Sequence, residues 1–399
     1  MHFKDKPEYT HAGPDFKPLP KYGHLSEPTP EFLAARDAID AGNKALWGIP
    51  DVTTLREMTP DVDSQMPPGG PDRQNIMTER IYFDARDGHK VELKIYKARD
   101  VQPDAVLMVR MHGGGWMVGG HEVDGIENVY AAAESNIVVA SIDYRMAPEY
   151  PFPTPLHDCY DGLIWCKNNA TTLGIDPEKI IVAGGSAGGN LAACLVLEAR
   201  NEGITGIIAQ VLSFPIICHP KFFPVHKYEF GSYMQNANAS VLNAVCMELA
   251  LDTYIPDAKP DPRHSPLLAS SHKDLPPTLI QCGGCDPLRD EAFAYAEALK
   301  NAGVDVEVHG YQGLPHWFAG VLLTAPETSM FYDRYTSFLR RCTGKESVNG
   351  ASVMVLLRLR KSADLSSDRT SAQCEGIVAE YEYYSSALLI PAKTAVLPV

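Results

Sequence analysis

Gly184-Gly185-Ser186-Ala187-Gly188-Gly189-Asn190 is the stretch on which the fold turns. It follows a short apolar run, Lys179-Ile180-Ile181-Val182-Ala183, and precedes a helical pattern from Leu191 to Arg200. A Gly-x-Ser-x-Gly turn between a strand and a helix is the arrangement of a nucleophile elbow. The serine sits on a tight turn, and flanking glycines relieve the crowding and leave its hydroxyl exposed. Glycine- and serine-rich turns are common, so the strand before and the helix after carry much of the inference.

A second signal lies roughly 70 residues upstream. Ala105-Val106-Leu107-Met108-Val109-Arg110-Met111 reads as a buried strand running into His112-Gly113-Gly114-Gly115-Trp116. Three consecutive glycines let bare backbone N–H groups point into a cavity. Acyl transfer needs such donors, because its tetrahedral intermediate carries a negative charge on the former carbonyl oxygen. A lone glycine triplet would read as a flexible loop; paired with the elbow it reads as an oxyanion hole.

An acid and then a histidine should follow in chain order. Thr278 to Cys282 is a strand candidate that ends at Gly283-Gly284-Cys285-Asp286, so Asp286 falls at a strand's C-terminal end, where such sheets place ligands. Asp286 also suits the N-cap of the helix that follows, and the two roles are compatible. Asp290 and Glu291 are its competitors, but both fall inside the helical segment. After the strand Val304 to Val308, Leu314-Pro315-His316-Trp317-Phe318 supplies His316 as the general base, with His309 as the rival nearer the strand.

Five motifs in this order, His112 to Trp116, Asp143-Tyr-Arg-Met-Ala-Pro-Glu149, Gly184 to Asn190, Asp286-Pro-Leu-Arg-Asp290 and His316-Trp-Phe318, resemble the hormone-sensitive-lipase-like branch of the α/β-hydrolases. The likeness spans about residues 80 to 342. Members of that family are serine esterases, lipases, deacetylases and related acyl hydrolases. The resemblance implies Ser186 as nucleophile, His316 as base and Asp286 as the orienting acid. It further implies oxyanion donors on the backbone of Gly113, Gly114 and Ala187. One departure is Gly185, where many relatives carry Asp or Glu; as no triad member is touched, it reads as tuning.

The chemistry so expected needs no metal or organic cofactor. No Cys/His spacing looks like a zinc site, and the glycine-rich stretches lack the Gly-Lys-Ser/Thr ending of a phosphate loop. Cys282-Gly-Gly-Cys285 has redox spacing but occupies the acid loop and reads as incidental. A formal net charge of −15 disfavours nucleic acid or anionic membranes as partners. The 399-residue chain has no run of 18 apolar residues, and Met1 to Tyr9 lacks the apolar core of a signal peptide. A cytoplasmic enzyme acting on a small-molecule ester is expected, and the family resemblance makes a homodimer plausible.

Alternating strand and helix patterns from Ile81 onward predict an α/β fold, a mostly parallel sheet flanked by helices, with a helical cap. Three parts are expected: an N-terminal cap segment (1–78), a hydrolase domain (79–342) and a tail (343–399). The N-terminal segment contains a helix opening at Pro30 with Phe32, Ala35, Ile39 and Leu46 on one side. A long insertion within the domain, about 215–266, carries Phe222, Phe223, Tyr228, Phe230, Tyr233 and Met234, then a helical stretch from Ser240 to Tyr254. By resemblance the insertion and the N-terminal helices form the cap. The aromatics either line the acyl or alcohol pocket or fasten the cap to the core. Asp143 and Arg145 are expected to buttress the oxyanion loop as a pair. The tail fits no part of the hydrolase pattern.

Two function classes follow. One is a carboxylic ester hydrolase, with thioesterase, lactonase, deacetylase and amidase variants of the same chemistry, or acyl transfer to an acceptor other than water. The other is a non-catalytic ligand receptor, since the branch also resembles plant hormone receptors that have lost the triad histidine. Ser186, Asp286 and His316 together favour the enzyme.

Overall fold

The computed structural model describes residues 21–47, 49, 51–57 and 65–345. The chain falls into two units, Met1–Thr343 and Gly344–Val399. Most of the tail, like the first 20 residues, lies outside the described residues, and the fold below is that of the first unit.

Eight strands, β1 (Ile76–Asp84), β2 (Lys90–Ala98), β3 (Ala105–Met111), β4 (Ile137–Asp143), β5 (Ile175–Gly185), β6 (Ile207–Ser213), β7 (Thr278–Gly283) and β8 (Val306–Tyr311), form one sheet. Their order is β1-β2-β4-β3-β5-β6-β7-β8. From β4 to β8 every neighbouring pair is parallel. β1 and β2 form an antiparallel hairpin, and β2 also runs antiparallel to β4. Composition reflects position. β3 is buried at every residue, as expected of a parallel strand covered on both faces. The edge strand β1 instead exposes Thr78, Glu79, Arg80, Tyr82 and Asp84 to solvent.

The helices are α1 (Pro30–Trp47), α2 (Val52–Glu57), α3 (Gly125–Ala132), α4 (Thr154–Asn168), α5 (Ala170–Leu173), α6 (Ala187–Asn201), α7 (Ser232–Gln235), α8 (Ala244–Tyr254), α9 (Arg289–Asn301), α10 (Phe318–Val321) and α11 (Pro326–Thr343). Side-chain alternation along the strands sorts them into two layers. Leu107, Val109 and Met111 of β3 pack in one core with Leu156 and Leu163 of α4, Leu191 and Leu195 of α6, and Leu299 of α9. Val106 and Met108 share the other core with Val129 of α3 and Tyr335, Phe338 and Leu339 of α11. Arg110 has the parity of this second face and pairs with Glu127 of α3.

Several boundaries differ from the sequence reading for local reasons. Helix α6 begins at Ala187 rather than Leu191, because Ser186 is itself the N-cap residue. Helix α4 begins at Thr154, with Pro155 in the first turn, where a missing N–H costs nothing. Helix α8 begins at Ala244 rather than Ser240, because the Asn243 side chain accepts the Cys246 N–H at 2.9 Å and sets the start there. The boundary expected between 78 and 79 falls inside β1.

One contact brings the site's two halves together. A Cβ placed on Gly188 of α6 would lie 2.1 Å from the Met111 carbonyl oxygen and 2.5 Å from that of His112. Only a residue without a side chain lets α6 come this close to the end of β3. Gly188→Ala should therefore destabilise the fold by at least about 1–3 kcal/mol, the usual range for overpacking. Urea unfolding checks this, and wild-type stability in the variant would contradict the close approach.

Candidate active site

The turn after β5 places Ser186 at φ 55° and ψ −116°, a conformation disfavoured for a residue with a side chain. The backbone around it is held on both sides. Its N–H donates to the Ser213 carbonyl at 2.7 Å, and its carbonyl accepts from Asn190 at 3.1 Å and Ile216 at 3.3 Å. The hydroxyl is thereby fixed at the head of α6, above the ends of β3 and β5.

Asp286 follows β7 and His316 follows β8, and the structure brings both to Ser186. His316 Nδ1 lies 2.7 Å from Asp286 Oδ2, and His316 Nε2 lies 3.0 Å from Ser186 Oγ. With its proton on Nδ1, the imidazole donates to the carboxylate and presents Nε2 to accept the serine hydroxyl proton. Asp286 is fully buried, and its second oxygen accepts the Leu288 N–H at 2.9 Å, so it also shapes the turn into α9. The Phe214 ring meets the His316 ring edge to face at 5.4 Å. The rivals are engaged elsewhere. His309 bonds to Glu307, Asp290 accepts from Ser232 and Arg289, and Glu291 accepts the Cys218 N–H.

The glycine loop lies directly against the elbow: a Cβ on Gly113 would sit 3.5 Å from that of Ser186. Gly114 has φ +116°, and a Cβ there would fall 2.0 Å from the Val118 carbonyl oxygen, so the loop requires glycine. Ala187 opens α6, where backbone N–H groups and the helix dipole favour negative charge. Behind the loop, the Tyr144 hydroxyl donates to the His112 carbonyl at 2.8 Å, and its ring stacks on the His112 ring at 4.3 Å. The expected Asp143–Arg145 brace does not form. Arg145 instead pairs with Asp158 and Asp87, and Tyr144 does the bracing. Burial lowers the pKa of His112, opposed by Asp143, whose Oδ1 is 3.9 Å away.

A cavity of about 180 Å³ opens at Ser186. Its floor includes Gly113, Gly114, Phe214, His316 and Trp317. Its walls come from segments distant in sequence: Asn43 and Leu46 of α1, Leu55 of α2, and Val241, Leu242, Cys246, Met247 and Ala250 of the insertion. The aromatic residues considered for the pocket do not line it. Phe223, Tyr228 and Tyr233 are buried in the core, and Phe223 stacks on Phe230 at 4.1 Å, fastening the insertion to the domain.

Sequence reasoning missed three groups beside the elbow. Arg110 of β3 is fully buried, and its Nη2 lies 2.8 Å from Glu127 Oε2 and 3.2 Å from Asp124 Oδ2. The signal was a single charge inside an otherwise apolar strand, which demands a partner. Burial raises the pKa of Glu127, and Asp124 raises it further, while Arg110 opposes both. Among the described residues no cluster of His, Cys, Asp or Glu has the makings of a metal site, and no helix is long and apolar enough to cross a membrane. The described cysteines, Cys282 and Cys285 included, are free thiols.

His121, just beyond the glycine loop, is 2 % exposed and bonds through Nδ1 to Ser141 Oγ at 2.8 Å. Burial, with a smaller contribution from His112, lowers its pKa to about 3. The unfolded chain, where histidine titrates near pH 6.5, takes up that proton first. The neutral His121 therefore contributes stability that is complete above about pH 6.5 and is lost as the pH falls toward 3. Unfolding free energies measured from pH 7 to 5 should fall more steeply for the wild type than for His121→Gln. Parallel curves would contradict this account.

Comparison with known proteins follows the same lines as the geometry. Residues 108–320 match the model of a family described as the alpha/beta hydrolase fold. Carboxylesterase NlhH of Mycobacterium tuberculosis is 31% identical over 340 residues, covering 84% of this chain and 98% of the relative. Versiconal hemiacetal acetate esterase of Dothistroma septosporum is 30% identical over 305 residues, covering 74% and 90%. Among solved structures, a bacterial heroin esterase superposes with a TM-score of 0.69 at 27% identity, covering 80% of this chain and 99% of that one. The chain belongs to the α/β-hydrolase family, in its hormone-sensitive-lipase-like branch of esterases.

Proposed function

We propose that the protein hydrolyses carboxylic esters with small to medium acyl or alcohol groups through an acyl-enzyme formed on Ser186. The observation that carries this reading is the unbroken pair of hydrogen bonds from Asp286 through His316 to Ser186 Oγ. A serine hydroxyl is a weak nucleophile at neutral pH and needs an adjacent base. His316 takes the proton through Nε2 as Oγ attacks the ester carbonyl, and Asp286 holds the ring in the right tautomer and stabilises the imidazolium. The backbone N–H groups of Gly113, Gly114 and Ala187 receive the developing oxyanion. His316 then protonates the departing alcohol, and water releases the acid by the same route in reverse.

The relatives' names, carboxylesterase and acetate esterase among them, support an ester rather than an amide or thioester as the scissile group. Ser186→Ala should abolish turnover of p-nitrophenyl esters of graded acyl length while leaving the far-UV circular dichroism unchanged. Retained turnover by pure variant would remove Ser186 from the role. Asp286→Asn should lower kcat by roughly 10,000-fold through the wrong imidazole tautomer, and a loss under tenfold would exclude Asp286 as the orienting acid.

A further inference from the structure

The cavity beside Ser186 carries a carboxylate that ester hydrolysis does not use. Asp124 is 3 % exposed and lines the same cavity as Ser186 and Glu127. It holds the N-cap position of α3, where an aspartate ordinarily accepts a helix N–H, yet its side chain makes no capping hydrogen bond. Instead it turns toward the elbow, so that a Cβ on Gly185 would lie 3.2 Å from each of its oxygens. The glycine at 185 is what leaves room for it.

One guanidinium serves both carboxylates at this end of α3. Arg110 Nη2 sits closer to Glu127 Oε2, at 2.8 Å, than to Asp124 Oδ2, at 3.2 Å, and Glu127 Oε1 accepts the Ser213 hydroxyl at 2.9 Å. Asp124 Oδ2 accepts no hydrogen bond. Two carboxylates thus face one guanidinium, and both border the cavity, Asp124 without the hydroxyl partner that Glu127 has in Ser213. Most of the remaining wall is aliphatic, with Leu46, Leu55, Val118, Val123 and Met247. One positive charge shared by two buried carboxylates leaves acceptor capacity at Asp124, which a donor on a bound ligand fills. A site so built discriminates against an analogue that lacks the donor.

We propose that Asp124 is a specificity-determining residue that receives a hydrogen-bond donor, a hydroxyl or a protonated amine, carried by the ester substrate. This rests on the hydrolase reading above. The test compares esters of matched shape. On the acyl side these are the p-nitrophenyl esters of β-hydroxybutyrate, β-aminobutyrate and isovalerate, which differ in one group: hydroxyl, ammonium or methyl. On the alcohol side, ethylene glycol monoacetate is set against propyl acetate, and dimethylaminoethyl acetate against isopentyl acetate. In at least one series the donor-bearing ester should have a kcat/KM about tenfold or more above its carbon isostere. The pair that shows the gap identifies the donor. In Asp124→Leu, which keeps the shape and removes the acceptor, the ratio should fall toward one. Parity in the wild type, with all esters hydrolysed, would overturn the proposal and leave the hydrolase reading standing. An undiminished preference in Asp124→Leu would also overturn it. No turnover of any ester would overturn both. Where Asp124→Leu fails to fold, Asp124→Ala carries the same comparison of ratios.

Discussion

The approach of α6 to the end of β3 is the constraint on which the site depends. With Gly188 lying against the Met111 and His112 carbonyls, the strand that ends in the glycine loop and the helix that starts at Ser186 share one corner. Without that proximity the loop's N–H groups and the serine hydroxyl would belong to separate parts of the surface. The same closeness forces the serine backbone into a sparsely populated conformation, which costs on the order of 1–3 kcal/mol. Three backbone hydrogen bonds, to Ser213, Asn190 and Ile216, hold it there. Strain is retained because the surrounding sheet and helix over-determine the turn.

Behind this corner lies the buried ion group of Arg110, Asp124 and Glu127. Taking three charges out of water is costly, and their mutual attraction offsets that only with good geometry. The group links β3, α3 and, through Ser213, the end of β6. Ser213 donates its hydroxyl to Glu127, and its carbonyl accepts the Ser186 N–H. The elbow and the ion group are therefore mechanically joined through one residue.

How much was legible followed from whether a feature is local. The strand-turn-helix at Ser186, the glycine loop and the order of acid before histidine all reside in short motifs. The structure brings Ser186, His316 and Asp286 within hydrogen-bond reach and sets the glycine loop against Ser186. The alternation of strands and helices likewise gave the α/β class, because burial on both faces makes β3 apolar at all but one position. Pairing across the chain was not legible. Nothing near Arg145 marks Asp158 and Asp87 as its partners rather than Asp143. The aromatic run of the insertion suited either the pocket or the junction of cap and core, and large rings gain most from burial: Phe223, Tyr228 and Tyr233 are in the core, with Phe222 and Phe230 packed against it. Smaller residues downstream, Val241, Leu242, Cys246, Met247 and Ala250, face the cavity. Asp124 was invisible for a different reason: an aspartate before a helix has an ordinary use, and only coordinates reveal that it declines it.

The cavity's walls are borrowed from two places far apart in the chain. The Asn43 side chain of α1 donates to the Val241 carbonyl of the insertion at 2.8 Å, tying one wall to the other. Neither wall contributes a strand to the sheet or a residue to the Asp286–His316–Ser186 hydrogen-bond chain. Substitutions there can reshape what is admitted without disturbing how it is cleaved. The shape these two walls give the cavity is thus set by parts of the chain that stand apart from the elbow.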